Sequence, residues 1–168
     1  ELTVEEGGTL EWLPQETILY DGGRLARTLT IDMAGSARLI ACEMLVLGRT
    51  AHGETVRAGA LCDQWRIRRD GRLVYADAFR IDTDIVAAGR GGATLAGGRA
   101  TASLILAAAD AGDRLDAVRA LLDGFGLAAG ASAWDGLLAV RAVADDAQRL
   151  RRAIAAVVDL LAGGVPRV

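Results

Sequence analysis

A nearly uninterrupted apolar run, from Leu39 to Leu47, is the feature of this sequence that most limits how it can fold. Runs of this length and composition are typical of a β-strand that is covered on both faces. One charged residue, Glu43, stands in the middle of the run. A carboxylate there must be paired, protonated or in contact with water, because a buried unpaired charge is strongly unfavourable. Two interpretations stay open for it: an ion pair with Arg38 or Arg49, and a functional role.

Size and hydropathy indicate one domain with a continuous core. The chain has 168 residues, 52% of them hydrophobic, and a mean hydropathy of +0.27. A chain of this length forms about one domain, and this much apolar surface must be buried in a core or against a partner. We therefore predict a single β-rich domain over residues 1–168. No membrane span is expected, because the longest uncharged stretch, residues 124–134, is far shorter than the roughly 20 apolar residues required.

The charged residues and cysteines argue against several classes of function. The net charge is −3, from 22 acidic and 19 basic residues, which lacks the basic excess typical of nucleic-acid binding. All 19 basic residues are arginine, which excludes lysine Schiff-base chemistry and the lysine-containing phosphate loop. Two cysteines, Cys42 and Cys62, are too few for a disulfide-stapled scaffold and are predicted to be core residues. With no signal peptide expected, we predict a cytoplasmic protein without nucleic-acid or membrane partners.

Strand patterns dominate the first two-thirds of the chain. Two short alternating segments, residues 2–5 and 9–13, flank Gly7-Gly8 and predict a hairpin or a tight corner. Asp70-Gly71 is a preferred pair for a two-residue turn and predicts a second hairpin. Pairing outward from that turn opposes Arg69 to Arg72, Ile67 to Val74 and Trp65 to Ala76.

Helical patterns occur only in the last third of the chain. Apolar spacing predicts a short helix from Asp113, as its N-cap, to Gly124 and a longer amphipathic helix over residues 145–162. Strands are predicted at residues 102–109 and 137–143. The predicted fold is therefore mainly β: a layered, β-helix-like arrangement of many short strands with two α-helices near the C-terminus.

The sequence holds no recognisable catalytic constellation. Its one histidine, His52, is the only candidate base for a hydrolytic triad, and no serine lies in a nucleophile elbow. His52 and Glu54 are two residues apart, so in extended backbone they point the same way and could share a divalent ion. The alternative for His52 is an ordinary loop residue at the end of a strand.

Three stretches of the chain resemble the UreD family of urease accessory proteins, which is called UreH in some organisms. They occur in the family's order and spacing, and the C-terminal Val-Pro-Arg-Val also resembles the family's ending. The stretches are Leu-Glu-Trp-Leu-Pro-Gln-Glu-Thr-Ile-Leu-Tyr-Asp-Gly at 10–22, Glu-Met-Leu-Val-Leu-Gly-Arg at 43–49 with Gly53-Glu54, and Ser-Ala-Trp-Asp-Gly-Leu at 132–137.

The resemblance implies a non-enzymatic chaperone for nickel insertion into urease. Members of that family have a mostly β, layered fold and bind the accessory protein UreF, which recruits the GTPase UreG. The assembly docks on apo-urease, and nickel is thought to reach the active site through a passage inside the protein. The chain corresponds to about the C-terminal three-fifths of such a protein, so we expect N-terminal strands beyond it.

The resemblance also suggests site residues. We expect Glu43, His52, Glu54 and Asp63 to border a transient nickel route, with no tightly bound cofactor, because isolated carboxylates and one histidine bind nickel weakly enough to release it. Partner contacts are expected in the first and third stretches, at Arg49 and on the C-terminal helix, although the tryptophans could equally be core residues. The candidate partner-binding residues are Trp12, Pro14, Gln15, Glu16, Arg49, Trp134, Asp135 and Leu150.

Two alternatives come from other functional classes. One is a β-rich binding or structural module that handles no metal. The other is a carboxylate-based hydrolase using Glu11, Glu16 or Glu43, which would need two carboxylates about 5 to 10 Å apart in an open cleft.

Overall fold

The computed structural model describes residues 1–49, 53–81, 85, 89, 91 and 94–163. The elements with described bounds in these ranges include ten strands and two α-helices. The prediction of a mainly β fold with two helices near the C-terminus is confirmed. Neither helix is long and apolar enough to cross a bilayer. The elements are β1 Leu2–Val4, β2 Thr9–Trp12, β3 Thr17–Leu19, β4 Arg24–Met33, β5 Arg38–Leu47, β6 Ala60–Arg69, β7 Arg72–Ile81, β8 Ala100–Ala107, α1 Leu115–Phe125, β9 Ala128–Trp134, β10 Leu137–Ala144 and α2 Ala147–Leu161.

The chain forms two compact units whose segments alternate along the sequence. The first unit comprises residues 1–9, 18–37 and 47–97. The second comprises residues 10–17, 38–46 and 98–168. The expectation of a single domain stays a prediction.

A four-stranded sheet forms the first unit, in the order β1-β4-β6-β7. The first three strands are mutually parallel, and β7 runs antiparallel to β6. Because side chains alternate across a strand, every second residue of β4 and β6 faces the core. Ile31 and Ile67 are directly opposite each other and fully buried, with Leu29 and Trp65 beside them.

The Asp70-Gly71 hairpin is confirmed, but its predicted register is wrong beyond the first pairs. Both turn residues have positive φ, 51° and 74°, as this turn requires, and Arg69 lies opposite Arg72. A bulge after Ile67 then shifts the pairing by one residue, so that Ile67 opposes Tyr75 rather than Val74 and Trp65 opposes Asp77 rather than Ala76. One extra residue turns every later β7 side chain to the other face. Tyr75 accordingly packs edge-on against Trp65, with ring centroids 6.5 Å apart.

The chain turns a corner at Gly7-Gly8, and the hairpin interpretation of this segment is wrong. β1 pairs with β4, whereas β2 pairs with β5, so the two strands belong to different sheets. Gly7 has a φ of 67°, and the amide of Gly8 donates to the carbonyl of Glu5 at 2.9 Å. The turn is therefore tight enough for a hairpin, but the two strands pair with more distant strands and not with each other.

The second unit is built on a sheet with the strand path β2-β5-β8-β10-β9. Every residue of β5 from Leu39 to Leu47 is buried, which confirms the prediction of a strand covered on both faces. One face of the sheet, with Cys42, Met44 and Leu104, forms a continuous apolar core with both helices. β9 and β10 make a hairpin that the sequence analysis did not predict.

The two helices differ in how their ends are stabilised. A 3₁₀ turn, Gly112–Arg114, precedes α1, so Asp113 lies within that turn and its predicted role as the N-cap is wrong. At the other end Gly126 adopts a φ of 58°, and the Arg149 guanidinium donates to the carbonyls of Phe125 and Gly126 at 2.9 and 2.6 Å. The longer helix is confirmed, with Asp146 as a side-chain N-cap.

Asp110 and Arg38 link the start of β5 to the start of α1 and to the end of α2. The Asp110 carboxylate accepts hydrogen bonds from Arg38 Nη1 at 2.7 Å and from Arg114 Nη2 at 2.8 Å. Arg38 Nη2 also donates to the carbonyl of Leu161, the last residue of α2, at 2.6 Å. A cation at a helix C-terminus is favourable because the last carbonyls carry partial negative charge.

We expect Asp110 to stabilise the fold in a pH-dependent way. Hydrogen bonds from Arg114 and Arg38 hold the pKa of its carboxyl below the usual value. The stabilisation is therefore complete above the unfolded pKa of about 3.9 and is lost as pH falls through the lower, folded value. Asp110→Asn should reduce the free energy of unfolding by about 0.5–1 kcal/mol at pH 7 and by less at pH 3, as measured by urea titration. Glu6→Gln, at an exposed turn, is the control; equal destabilisation by Asp110→Asn at both pH values would contradict the prediction.

Candidate functional site

A line of polar side chains crosses the second sheet on the face opposite the helices. Glu43 of β5 lies directly opposite Ser103 of β8, and Ser103 lies opposite Arg141 of β10. Residues paired in this way point to the same face of a sheet. Arg141 Nη1 donates to Ser103 Oγ at 2.6 Å. We call Trp12, Glu43, Ser103 and Arg141 the polar row.

Glu43 is the most buried member of this row. Its side chain is 6% exposed, and it is the one buried charged residue in the described part of the chain. Ala41, two positions earlier on the same face, is fully buried. The indole Nε1 of Trp12 donates to Glu43 Oε1 at 3.1 Å, so two of the stretches that carry the family resemblance meet in this hydrogen bond. Burial and the charge of Glu43 together raise the pKa of the adjacent Cys42 thiol to about 12.

The two arginines considered as partners of Glu43 form ion pairs of their own. Arg38 binds Asp110, as described above. Arg49 binds Glu54: its backbone N and its Nε each donate to Glu54 Oε2 at 3.0 Å. The Arg49 guanidinium also lies over the Tyr20 ring, 4.7 Å from its centroid.

Glu54 and Asp63, two predicted members of the nickel route, belong to the first unit. Besides its contacts with Arg49, Glu54 accepts a hydrogen bond from the Asp21 amide at 3.3 Å. Hydrogen bonds from Arg49 lower the pKa of Glu54 to about 2. Asp63 accepts two hydrogen bonds from Arg27, at 3.1 and 2.7 Å. His52 lies outside the described residues.

The carboxylates of the predicted route are thus spread over both units. Glu43 lies in the second unit, and Glu54 and Asp63 lie in the first. Among the described residues, no group of three or more His, Cys, Asp or Glu side chains is placed to hold a metal ion. A closed metal cage is therefore not built from this part of the chain.

The first stretch of the resemblance lines a cleft against α2 in the second unit. The cleft has a volume of about 210 Å³ and an apolar floor that includes Met44. Glu16 and Arg151 form an ion pair at its edge. The lining residues are Leu13, Pro14, Gln15, Glu16, Cys42, Met44, Arg151, Ile154, Ala155 and Val158.

The other predicted partner-binding residues have different surroundings. Trp134 is 41% exposed, and Asp135 begins the β9–β10 turn with a φ of 45°. Leu150 lies on the buried side of α2 and is fully enclosed by the core. Their roles in partner binding stay predictions.

Sequence reasoning missed Ser103 and Arg141. Each is a polar residue on a strand of mostly apolar residues, and this signal was visible in the sequence. Their alignment with Glu43 depends on the register of three strands that are far apart along the chain. Only the folded sheet shows that they form one row.

Comparison with known proteins identifies the family. A family model described as UreD urease accessory protein matches residues 1–167. The chain belongs to the UreD urease accessory protein family. The resemblance stated from the three sequence stretches is therefore confirmed.

UreD proteins from several bacteria are close relatives of the chain. It is 48% identical to the urease accessory protein UreD of Methylobacterium sp. (strain 4-46), over 100% of the chain and 62% of that protein. It is 46% identical to UreD of Azorhizobium caulinodans, over 99% of the chain and 62% of the relative. UreD of Jannaschia sp. (strain CCS1) is 48% identical, with 99% and 62% covered. The chain thus spans about three-fifths of the length of these curated relatives.

Membership of the UreD family bears on the alternatives left open by the sequence. The family's name describes an accessory to an enzyme, which agrees with the expectation of a non-enzymatic protein and argues against the hydrolase alternative. The structure agrees with this for two of the three proposed carboxylates, because Glu16 is paired with Arg151 and Glu43 is buried within the sheet.

We expect the Trp12–Glu43 hydrogen bond to contribute substantially to stability. Trp12→Phe removes the indole donor from a buried carboxylate, and hydrogen bonds to charged groups are worth about 1.5–3 kcal/mol. The variant should lose about that much free energy of unfolding in a denaturant titration. Trp134→Phe is the matched control, because Trp134 is 41% exposed and lies at a hairpin turn. Equal losses in the two variants would show that the hydrogen bond to Glu43 has no special role.

Proposed function

We propose that the chain is part of a non-enzymatic scaffold that assists nickel insertion into apo-urease in the cytoplasm. In this proposal it docks on urease, binds UreF and through UreF is linked to the GTPase UreG. Nickel passes along an internal route and is cargo, not a resident cofactor. Membership of the UreD family supports the proposal, as do the relatives' names, which describe them as urease accessory proteins.

The observation that carries the nickel route is the buried carboxylate of Glu43. It lies in a strand whose other central residues are apolar, and its position is fixed by the Trp12 indole. Burying a carboxylate in this strand costs free energy that an apolar residue of similar size would not, so its presence supports a role beyond packing. Carboxylate oxygen is a suitable ligand for a divalent ion such as nickel.

A route must release its cargo, and the polar row suits weak binding. Glu43 supplies one carboxylate and Ser103 one hydroxyl, far fewer donors than a closed site provides. Arg141 lies two strands from Glu43 on the same face, and its guanidinium reaches Ser103, the residue opposite Glu43. Its positive charge opposes a bound cation and so favours release.

The carboxylates of the first unit would act differently from Glu43. Glu54 and Asp63 are each held by an arginine, so a passing ion would have to compete with a guanidinium for the carboxylate. With a pKa of about 2, Glu54 stays ionised at physiological pH, and Arg49 offsets its charge until an ion displaces the guanidinium. We include both residues, and His52, in the proposed route.

The cleft beside α2 is our proposed contact for UreF. It brings Pro14, Gln15 and Glu16 next to the exposed side of α2 around Arg151. An apolar floor with a polar edge is the usual arrangement of a protein contact. Leu150, on the buried side of the same helix, would support this contact by packing α2 against the core.

Urease activation in cells tests the role of Glu43. Glu43→Gln keeps the side-chain size and an acceptor for Trp12 but removes the charge that would bind nickel. With urease, UreF and UreG co-expressed, we expect a severalfold fall in urease activity and in nickel per urease, with UreF binding unchanged. Glu11→Gln, at a neighbouring exposed position on β2, should leave activation at the wild-type level.

Three results would count against this proposal in different ways. Normal nickel content with Glu43→Gln would remove Glu43 from the route. Loss of UreF binding by the same variant would assign the residue to docking or folding. Failure of the wild-type chain to associate with apo-urease or UreF would remove the accessory function of this part of the protein.

A further inference from the structure

One face of the first sheet is open to solvent and carries mostly arginine among its charged residues. The opposite face holds the core of this unit, with Ile31, Trp65 and Ile67. By strand alternation and register, the open face carries alternate residues of β4, β6 and β7. We call it the basic face and define it by Arg24, Ala26, Thr28, Thr30, Asp32, Cys62, Gln64, Arg66, Arg68, Leu73, Ala76, Ala78 and Arg80.

The charges on this face are strongly unequal. It holds four arginines and one aspartate, in a chain whose net charge is −3. The aspartate, Asp32, lies 3.9 Å from Arg68 and offsets that arginine. Arg24, Arg66 and Arg80 are exposed. This face therefore carries a net positive charge in a chain that is acidic overall.

Small residues lie between these arginines and leave them accessible. Ala76 lies opposite Arg66, and Ala78 lies one step along β7 between Ala76 and Arg80. All of these side chains are exposed. Leu73, at the end of β7 beside the turn, is 48% exposed and adds an apolar contact. A sheet face with charges separated by alanines accepts the surface of another protein more readily than a small ligand, which needs a concave pocket.

A chain of hydrogen bonds orients two of the arginines. Arg66 Nη1 donates to Gln64 Oε1 at 3.2 Å, and Gln64 Nε2 donates to Cys62 Sγ at 3.3 Å. From the other side, Arg80 Nη2 donates to Cys62 Sγ at 3.7 Å. Side chains that are already ordered lose less conformational entropy when a partner binds.

We propose that the basic face docks an acidic protein surface, one that presents Asp and Glu side chains to Arg24, Arg66 and Arg80. The proposal rests on the proposed function, because the partner is sought among apo-urease and UreF. Guanidinium groups form paired hydrogen bonds with carboxylates, and arginine is enriched at protein interfaces while lysine is depleted. Nucleic acid is less suitable, because the chain is acidic overall and the defined face has no aromatic residue on which bases could stack.

Charge reversal tests this surface directly. The chain carrying both Arg66→Glu and Arg80→Glu is compared with wild type for binding to purified apo-urease and to purified UreF. We expect a loss of affinity of about tenfold or more for one of them, and a wild-type affinity for that partner that falls as salt increases. Arg72→Glu, the same charge change at an exposed position of β7 outside the defined face, should bind as wild type does. Thermal unfolding confirms that each variant is folded.

Cys62 provides a second test that needs no charge reversal. The prediction that Cys62 is a core residue is wrong, because it lies in the middle of the basic face and is partly exposed. Hydrogen bonds from Gln64 and Arg80 lower the pKa of its thiol. It should therefore react readily with a maleimide, and more slowly once the partner is bound. Cys42 is buried, with a pKa raised to about 12, and serves as an internal control that reacts only on unfolding.

The outcomes separate this proposal from the proposed function. Normal partner binding by the double variant, or unchanged labelling of Cys62 in the complex, overturns the proposal and leaves the accessory function standing. Wild-type binding to a DNA duplex or to vesicles with anionic lipid, abolished in the double variant, would reassign the face to a different polyanion. If wild type binds neither apo-urease nor UreF, the proposed function fails and this proposal fails with it.

Discussion

A carboxylate buried within a doubly covered strand is the constraint around which the second unit is organised. β5 is apolar on both sides of Glu43, and the side chain is almost fully withdrawn from solvent. Such a group needs hydrogen-bond donors, and the Trp12 indole on the adjacent strand supplies one. The position of β2 beside β5 is thereby tied to one hydrogen bond as well as to backbone pairing. The cleft beside α2 follows from it, because residues 13–16 continue directly from β2.

Arginine supplies every basic side chain in the protein, and its role depends on what lies opposite it. In the second unit, guanidinium groups bind backbone carbonyls. Arg149 binds carbonyls at the end of α1, Arg38 binds one at the end of α2, and Arg119 binds the carbonyl of Ala131 on the edge strand β9. A planar group with several donors suits these positions better than an ammonium. In the first unit, Arg27 and Arg49 bind carboxylates, whereas the arginines of the basic face remain open to solvent.

Local patterns predicted the elements well wherever one physical effect dominated. The apolar run of β5, the Asp70-Gly71 turn and the amphipathic spacing of α2 each correspond to an observed element. Asp135-Gly136 is the same turn-forming pair as Asp70-Gly71, so the sequence also contained the signal for the β9–β10 hairpin. At Gly7-Gly8 the local pattern left a hairpin and a corner open, because a tight turn is compatible with either, and strand pairing selects the corner.

For the candidate site, the sequence by itself determined that Glu43 is exceptional, because a charge in a long apolar run is unfavourable whatever the fold. It also determined the strand that holds this residue and the family to which the chain belongs. Only the tertiary structure decided which residues share a face with Glu43, since strand register depends on contacts between distant segments. For the same reason the bulge after Ile67 could not be foreseen, although it sets which side of β7 faces the core and which completes the basic face. Pairing between strands is a property of the packed sheet, and no local preference encodes it.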